Sequence, residues 1–342
     1  MYTIRELGQK ETLSEASGKR LQSALEASQS SRWVPADFLE KHPRVRVQMA
    51  GLGDVGQNVA IGLTLLGGEK ISEIGLYDLN TAQVERMVTE LSQFSTPPGG
   101  SPLPRVCAAE EQRLFDCDLF LFCATKAVPA LGSEVRDVRM AQYEANRKIV
   151  AIYGRMAAER NYQGLFLVIS DPVDLLTMEA FRSAPGLHPY QFRGCGLGVM
   201  NARGRYFAAK EERFADYLQE GRAFGPHGQD LVLANSLDPE KYDDKKSQEL
   251  TRLAVGANLQ VRALGFKPYL APAMSSAVFT ILALLRGEWN YSAAYLNGIY
   301  FGALNRWGTE GVEWERTPVP GPLWSRLEKA YMNLEAILWK SF

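Results

Sequence analysis

The sequence predicts an α/β chain whose N-terminal half is a doubly wound parallel sheet. Three observations carry this prediction. Short apolar runs alternate with amphipathic helical stretches from Val45 onward. The runs at 119–123 and 165–169 are apolar at every position, as strands covered on both faces are. A glycine-rich turn, Gly51-Leu52-Gly53-Asp54-Val55-Gly56, links the first of these strands to the first helix.

Each element has a local reason. Residues 1–44 read as an appendage: 12–29 is a Ser/Ala/Glu/Lys stretch of modest helical character, and Pro43 closes a short segment at 36–41. A surface helix, a partly disordered arm or an arm wrapping a neighbouring subunit all fit it. Val45, Val47 and Met49 alternate as a strand does. Residues 58–66 carry an apolar stripe and stop at Gly67-Gly68, as a helix does. Residues 74–77 form a second strand. Asn80 or Thr81 then caps a helix over 81–94. Pro97-Pro98-Gly99-Gly100 is a loop, and 142–160 is a long helix. Alternation at this spacing implies βαβ units. After about Arg193 the rhythm lengthens, so a second domain is placed at 194–342, behind a nucleotide-binding domain at 45–193.

Composition narrows the function. The chain has 342 residues, 46% hydrophobic and 23% charged, which is ample for a buried core. A formal net charge of -1 gives no footprint for nucleic acid or an anionic membrane. Cys107, Cys117, Cys123 and Cys195 have no C-x-x-C spacing and read as free thiols, which implies a reducing, cytoplasmic setting. The apolar stretch at 277–285 is too short to span a bilayer. His42, His188 and His227 are scattered, so no metal site is expected.

The turn at Gly51 is a G-x-G-x-x-G between a strand and a helix, the context in which the motif has a mechanism. The first glycine permits the tight turn, Gly53 lets the backbone approach a pyrophosphate, and Gly56 permits close packing of helix on strand. The helix N-terminus, with Asp54 and Val55 in its first turn, faces the phosphates. Asp78 ends the second strand roughly 20 residues on, where a carboxylate accepts hydrogen bonds from ribose hydroxyls and repels a 2′-phosphate. NAD rather than NADP is the expected cofactor of this Rossmann-type domain.

The run from Gly51 to Gly56, with Ile74-Gly75-Leu76-Tyr77-Asp78, resembles the L-lactate/malate dehydrogenase family. Three later segments resemble it in the same order: Ser170-Asp171-Pro172-Val173-Asp174-Leu175-Leu176-Thr177, Ala202-Arg203-Gly204-Arg205-Tyr206 and Gly225-Pro226-His227-Gly228. The resemblance covers roughly residues 45–340. It implies a mixed α/β catalytic domain after the nucleotide-binding sheet, and a homo-oligomer, dimer or tetramer. It implies reversible hydride transfer between NAD and a small 2-hydroxy or 2-oxo acid, so the expected partner is a small-molecule substrate.

By the same resemblance His227 is the acid/base and Arg203 the fork that holds the substrate carboxylate. Arg139, two helical turns before Asn146, is the arginine that polarises the carbonyl. Arg136 competes with it, because the stretch at 124–137 is longer than the family's loop. Ala124 lines the cofactor side, and Ser275 lines the substrate pocket unless it only packs its helix.

Two positions depart from the family pattern. The aspartate that orients the histidine is replaced by Met200, which cannot stabilise an imidazolium. Asp171 stands where the family has an asparagine near the nicotinamide ribose. Asp171 can pair with His227 and restore the lost charge. A non-catalytic NAD-binding protein with a sensing or scaffolding role, and a dehydrogenase of a non-acid substrate, are the alternatives.

Overall fold

The computed structural model describes residues 2–9, 33–126, 138–309 and 311–340. The predicted stretch at 12–29 and Arg136 lie outside the described residues. Helix α1 (Pro35–Lys41) begins with proline at its first turn, where the missing N–H costs nothing. The order is then β1 (Val45–Ala50), α2 (Asp54–Leu66), β2 (Ile71–Tyr77), α3 (Thr81–Leu91), β3 (Arg105–Ala108), β4 (Leu119–Phe122), α4 (Val138–Glu159), β5 (Leu165–Val168), α5 (Val173–Arg182) and β6 (Phe192–Gly194). Asn80 caps α3 by accepting from the Gln83 N–H.

These six strands are parallel in the order β3-β2-β1-β4-β5-β6. The order reverses between β1 and β4, which opens a crevice at their carboxyl ends. Period-two alternation splits β4 between two cores. Phe120 and Phe122 enter an aromatic cluster on one face. Leu119 and Leu121 enter an aliphatic cluster on the other.

The chain continues through α6 (Leu197–Lys210), α7 (Tyr217–Glu220), β7 (Arg222–Phe224), β8 (Val232–Ala234) and α8 (Asp244–Ala263). A π-helical turn (Pro272–Val278) runs into α9 (Phe279–Arg286). Strands β9 (Asn290–Leu296), β10 (Ile299–Trp307) and β11 (Val312–Trp314) and helix α10 (Gly321–Lys340) complete it. β9 joins β6 antiparallel, so among the described residues the sheet runs on past residue 193 to nine strands. β7 and β8 form a separate hairpin.

Residues 2–9 are built into the fold. Ile4 and Leu7 are buried. Tyr2 stacks on Trp324 at 4.8 Å, and Asn297 Nδ2 donates to the carbonyls of Arg5 (3.0 Å) and Leu7 (2.6 Å). Trp33 donates its indole N–H to the Gln163 carbonyl at 2.8 Å. Both described pieces of the N-terminal stretch therefore dock on their own chain, a placement that a polar composition conceals. The four cysteines are free. No described helix is long and apolar enough to cross a membrane.

Candidate active site

The glycine turn lies at the crevice. Gly51 has φ +100°, and a Cβ there would sit 2.5 Å from the Ala124 backbone nitrogen. A Cβ on Gly56 would overlap the Gly51 carbonyl oxygen. The first and third glycines are thus required by the fold's own backbone. Gly53 differs: it caps α2, and a Cβ there would meet nothing within 4 Å. Open space in front of unpaired N–H groups at a helix N-terminus is what a pyrophosphate needs. The residues present therefore fit a dinucleotide.

Asp78 is held beside this turn. Its carboxylate accepts from the Leu52 N–H at 2.7 Å and from the Asn80 N–H at 2.9 Å. Val55 is half-buried against the aliphatic core. The Asp54 side chain pairs with Lys267 at 2.9 Å, and its backbone N–H is in the first turn of α2. Ala124 closes the floor, its carbonyl accepting from Ser170 Oγ at 2.8 Å.

Asp171 and His227 come together from elements 56 residues apart, with Oδ1 2.8 Å from Nδ1. An ionised carboxylate only accepts, so Nδ1 carries the hydrogen and Nε2 is left to exchange a proton. The Asp171 side chain is 48% exposed and the His227 side chain 14%. His227 sits in the turn between β7 and β8, where Gly225 (φ +84°) and Gly228 (φ +129°) make a bend that L-residues adopt with strain. Its own N–H donates to Asp174 Oδ2 at 3.1 Å. Asp174 is buried in the first turn of α5.

Arg203 is half-buried on α6. Its Nη1 reaches Met200 Sδ at 3.6 Å and the Ala254 carbonyl at 3.4 Å. No carboxylate of the described residues forms an ion pair with it. Burial lowers the guanidinium below its ordinary value, and the nearby Asp171 carboxylate opposes that shift. Met200 is itself buried and lies against Arg203. Met200 thus contacts Arg203, and the carboxylate at 171 contacts His227.

Arg139 lies in the first turn of α4, with only its backbone among the described features. Ser275 lies in the π-helical turn and is half-buried. Its neighbour Ser276 is the structural one: Oγ accepts from the Val199 N–H (2.9 Å) and donates to the Gly196 carbonyl (2.6 Å), fixing the start of α6.

Sequence reasoning used Asn146 only as a spacing marker, and the structure gives it a task. Fully buried, it accepts from the Lys126 N–H (2.9 Å) and donates to the Asp171 carbonyl (3.0 Å). It thereby ties the segment after β4 to the residue that holds His227. A lone amide among the mostly apolar residues of this helix gave no signal for this. Asp174 was also missed, although it stood inside the quoted motif, because its partner is a backbone N–H.

Residues 45–191 match the lactate/malate dehydrogenase NAD-binding domain. L-lactate dehydrogenase of Staphylococcus saprophyticus is 28% identical over 183 residues, 54% of this chain and 54% of that protein. L-lactate dehydrogenase 1 of Staphylococcus aureus is 28% identical over 184 residues, 54% of this chain and 55% of its own length. The chain spans about half the length of these curated relatives. Two solved structures extend the likeness of fold. The minor L-lactate dehydrogenase of Enterococcus mundtii superposes with a TM-score of 0.70 at 20% identity, over 87% of this chain and 98% of that one. The malate dehydrogenase of Archaeoglobus fulgidus in complex with NADH gives 0.68 at 17% identity, over 86% and 99%. Residues 45–191 thus match a lactate/malate dehydrogenase NAD-binding domain, and the solved structures extend the likeness of fold over most of the chain.

Proposed function

We propose that the chain is an NAD-dependent dehydrogenase of a small 2-hydroxy acid, running reversibly to the 2-oxo acid. The observation that carries this reading is the 2.8 Å pairing of His227 with Asp171 beside a half-buried Arg203. The Gly51–Gly56 turn and Asp78 hold the cofactor, which supplies hydride exchange at its nicotinamide when bound. His227 Nε2 gives its proton to the substrate carbonyl oxygen in reduction and takes one from the hydroxyl in oxidation. Asp171 holds the imidazole in the tautomer this requires and balances the imidazolium charge. Arg203 receives the substrate carboxylate in its planar fork. Arg139 polarises the carbonyl, and Ser275 shapes the pocket wall.

The site then sits between a nucleotide-binding part at 45–193, which supplies Asp171, and a substrate part at 194–342, which supplies His227 and Arg203. The chain also self-associates in this reading. The half-exposed Leu65 and Leu66 at the end of α2 offer an apolar contact, and light scattering on the purified chain gives the stoichiometry.

The test follows NADH absorbance on adding a panel of 2-oxo acids, with His227→Ala as control. Oxidation that this variant abolishes supports the reading and names the acid. No oxidation across the panel while NADH binds would move the chain to a non-catalytic role or to a substrate outside this class.

A further inference from the structure

A second concave site lies away from the crevice, at the β10–β11 edge of the sheet. It is a cavity of about 660 Å³. Arg5, Arg306, Arg316, Glu313, Trp307 and Trp314 are in its wall. It shares no residue with the glycine turn or with Asp171, Arg203 and His227. The wall is assembled mostly from the β10–β11 hairpin, with Arg5, two residues of α1 and Gly287 completing it, so the docked N-terminal stretch supplies part of the site.

Its electrostatics are lopsided. One carboxylate, Glu313, is shared by Arg306 Nε (2.9 Å) and more loosely by Arg316 Nη2 (3.9 Å). With Arg5, the wall's described ionisable residues are three guanidiniums against one carboxylate. Arg306 is held in place, lying over the Trp289 ring at 4.7 Å.

A second observation points the same way. Trp307 is buried, and its indole N–H has no acceptor among the described residues. Behind it Arg193 is fully buried, its guanidinium 5.6 Å from the Trp307 ring centre. Only Arg193 Nη1 is satisfied, by Asn305 Oδ1 at 2.8 Å, while Nε and Nη2 lack acceptors among the described residues. Burial lowers this group to about 10, still high enough to keep it charged at neutral pH. A buried cation without a countercharge is costly, and so are buried donors without acceptors. Both costs fall when negative charge settles nearby.

We propose that this cavity is a binding site for a small phosphorylated molecule carrying an aromatic or other flat apolar group. A phosphate monoester carries about -1.5 to -2 at neutral pH and matches a wall with two surplus cations. Arginine forks suit its oxygens, and the Trp307 and Trp314 side chains suit its apolar part.

The probe is phenyl phosphate, titrated into the full chain with tryptophan fluorescence and calorimetry as readouts, and with NADH present and absent. Saturable binding is expected, unaffected by NADH and weakened at least tenfold by Arg306→Gln and by Arg316→Gln. Inorganic phosphate is expected to bind more weakly at the same place, and phenol not at all. Arg316 is 76% exposed, so its variant keeps the fold. No saturation up to about 10 mM phenyl phosphate, binding that both variants leave unchanged, or competition with NADH would each overturn the proposal. None of these readouts depends on turnover, so failure here leaves the dehydrogenase reading standing, and the converse also holds.

Discussion

Asp171→Asn keeps the size and shape of the side chain and removes its charge. If the carboxylate orients and balances His227, kcat is expected to fall by on the order of 10²–10⁴ with NADH affinity unchanged. The side chain is half exposed, so the urea midpoint is expected to move by no more than about 0.5 kcal/mol equivalent. Unchanged turnover would remove Asp171 from the mechanism. At Arg203 the loss belongs to the substrate instead. Arg203→Lys keeps the charge and loses the fork, so KM for the acid is expected to rise by about 10- to 100-fold, read from initial rates. The roles proposed for His227 and Arg203 rest on residue type and motif order, which name a proton donor and a carboxylate fork along the sequence. The Asp171–His227 contact was a stated possibility there, and the 2.8 Å distance realises it. Asn146 and Asp174 were not legible, because their partners are backbone groups that only the folded chain brings near.

The glycine turn separates fold from function within one element. Gly56→Ala places a Cβ against the Gly51 carbonyl, a backbone atom that cannot yield, and is expected to cost about 1–3 kcal/mol in a urea titration. Gly53→Ala meets no neighbour, so it is expected to leave the urea midpoint in place and weaken NADH binding. Equal loss of stability in both variants would contradict this division. The strands and helices around the turn follow their patterns closely. The 119–123 and 165–169 runs become β4 and β5, and the helix predicted over 142–160 runs over Val138–Glu159. β2 starts earlier than predicted, at Ile71. β3 was not predicted, because a four-residue edge strand with two exposed positions shows too little apolar alternation to be seen.

Across the whole molecule, the N-terminal residues act at long range. Leu7 is fully buried against the C-terminal part of the chain. Leu7→Ala is expected to cost about 2–5 kcal/mol, measured by urea unfolding of the full chain. A change under 0.5 kcal/mol would mean that this segment detaches in solution. The sequence by itself determined most of the strand–helix alternation up to residue 169, the nucleotide turn and the residue types of the site. These depend on local periodicity, on backbone freedom at glycine and on side-chain chemistry, all of which can be read along the chain. Only the tertiary structure decided that Asp171 meets His227, that Met200 turns to Arg203, and that residues 2–9 fold back to shape an arginine-lined cavity. Those outcomes depend on contacts between segments far apart in sequence, whose partners are set by how the sheet and its covering helices pack.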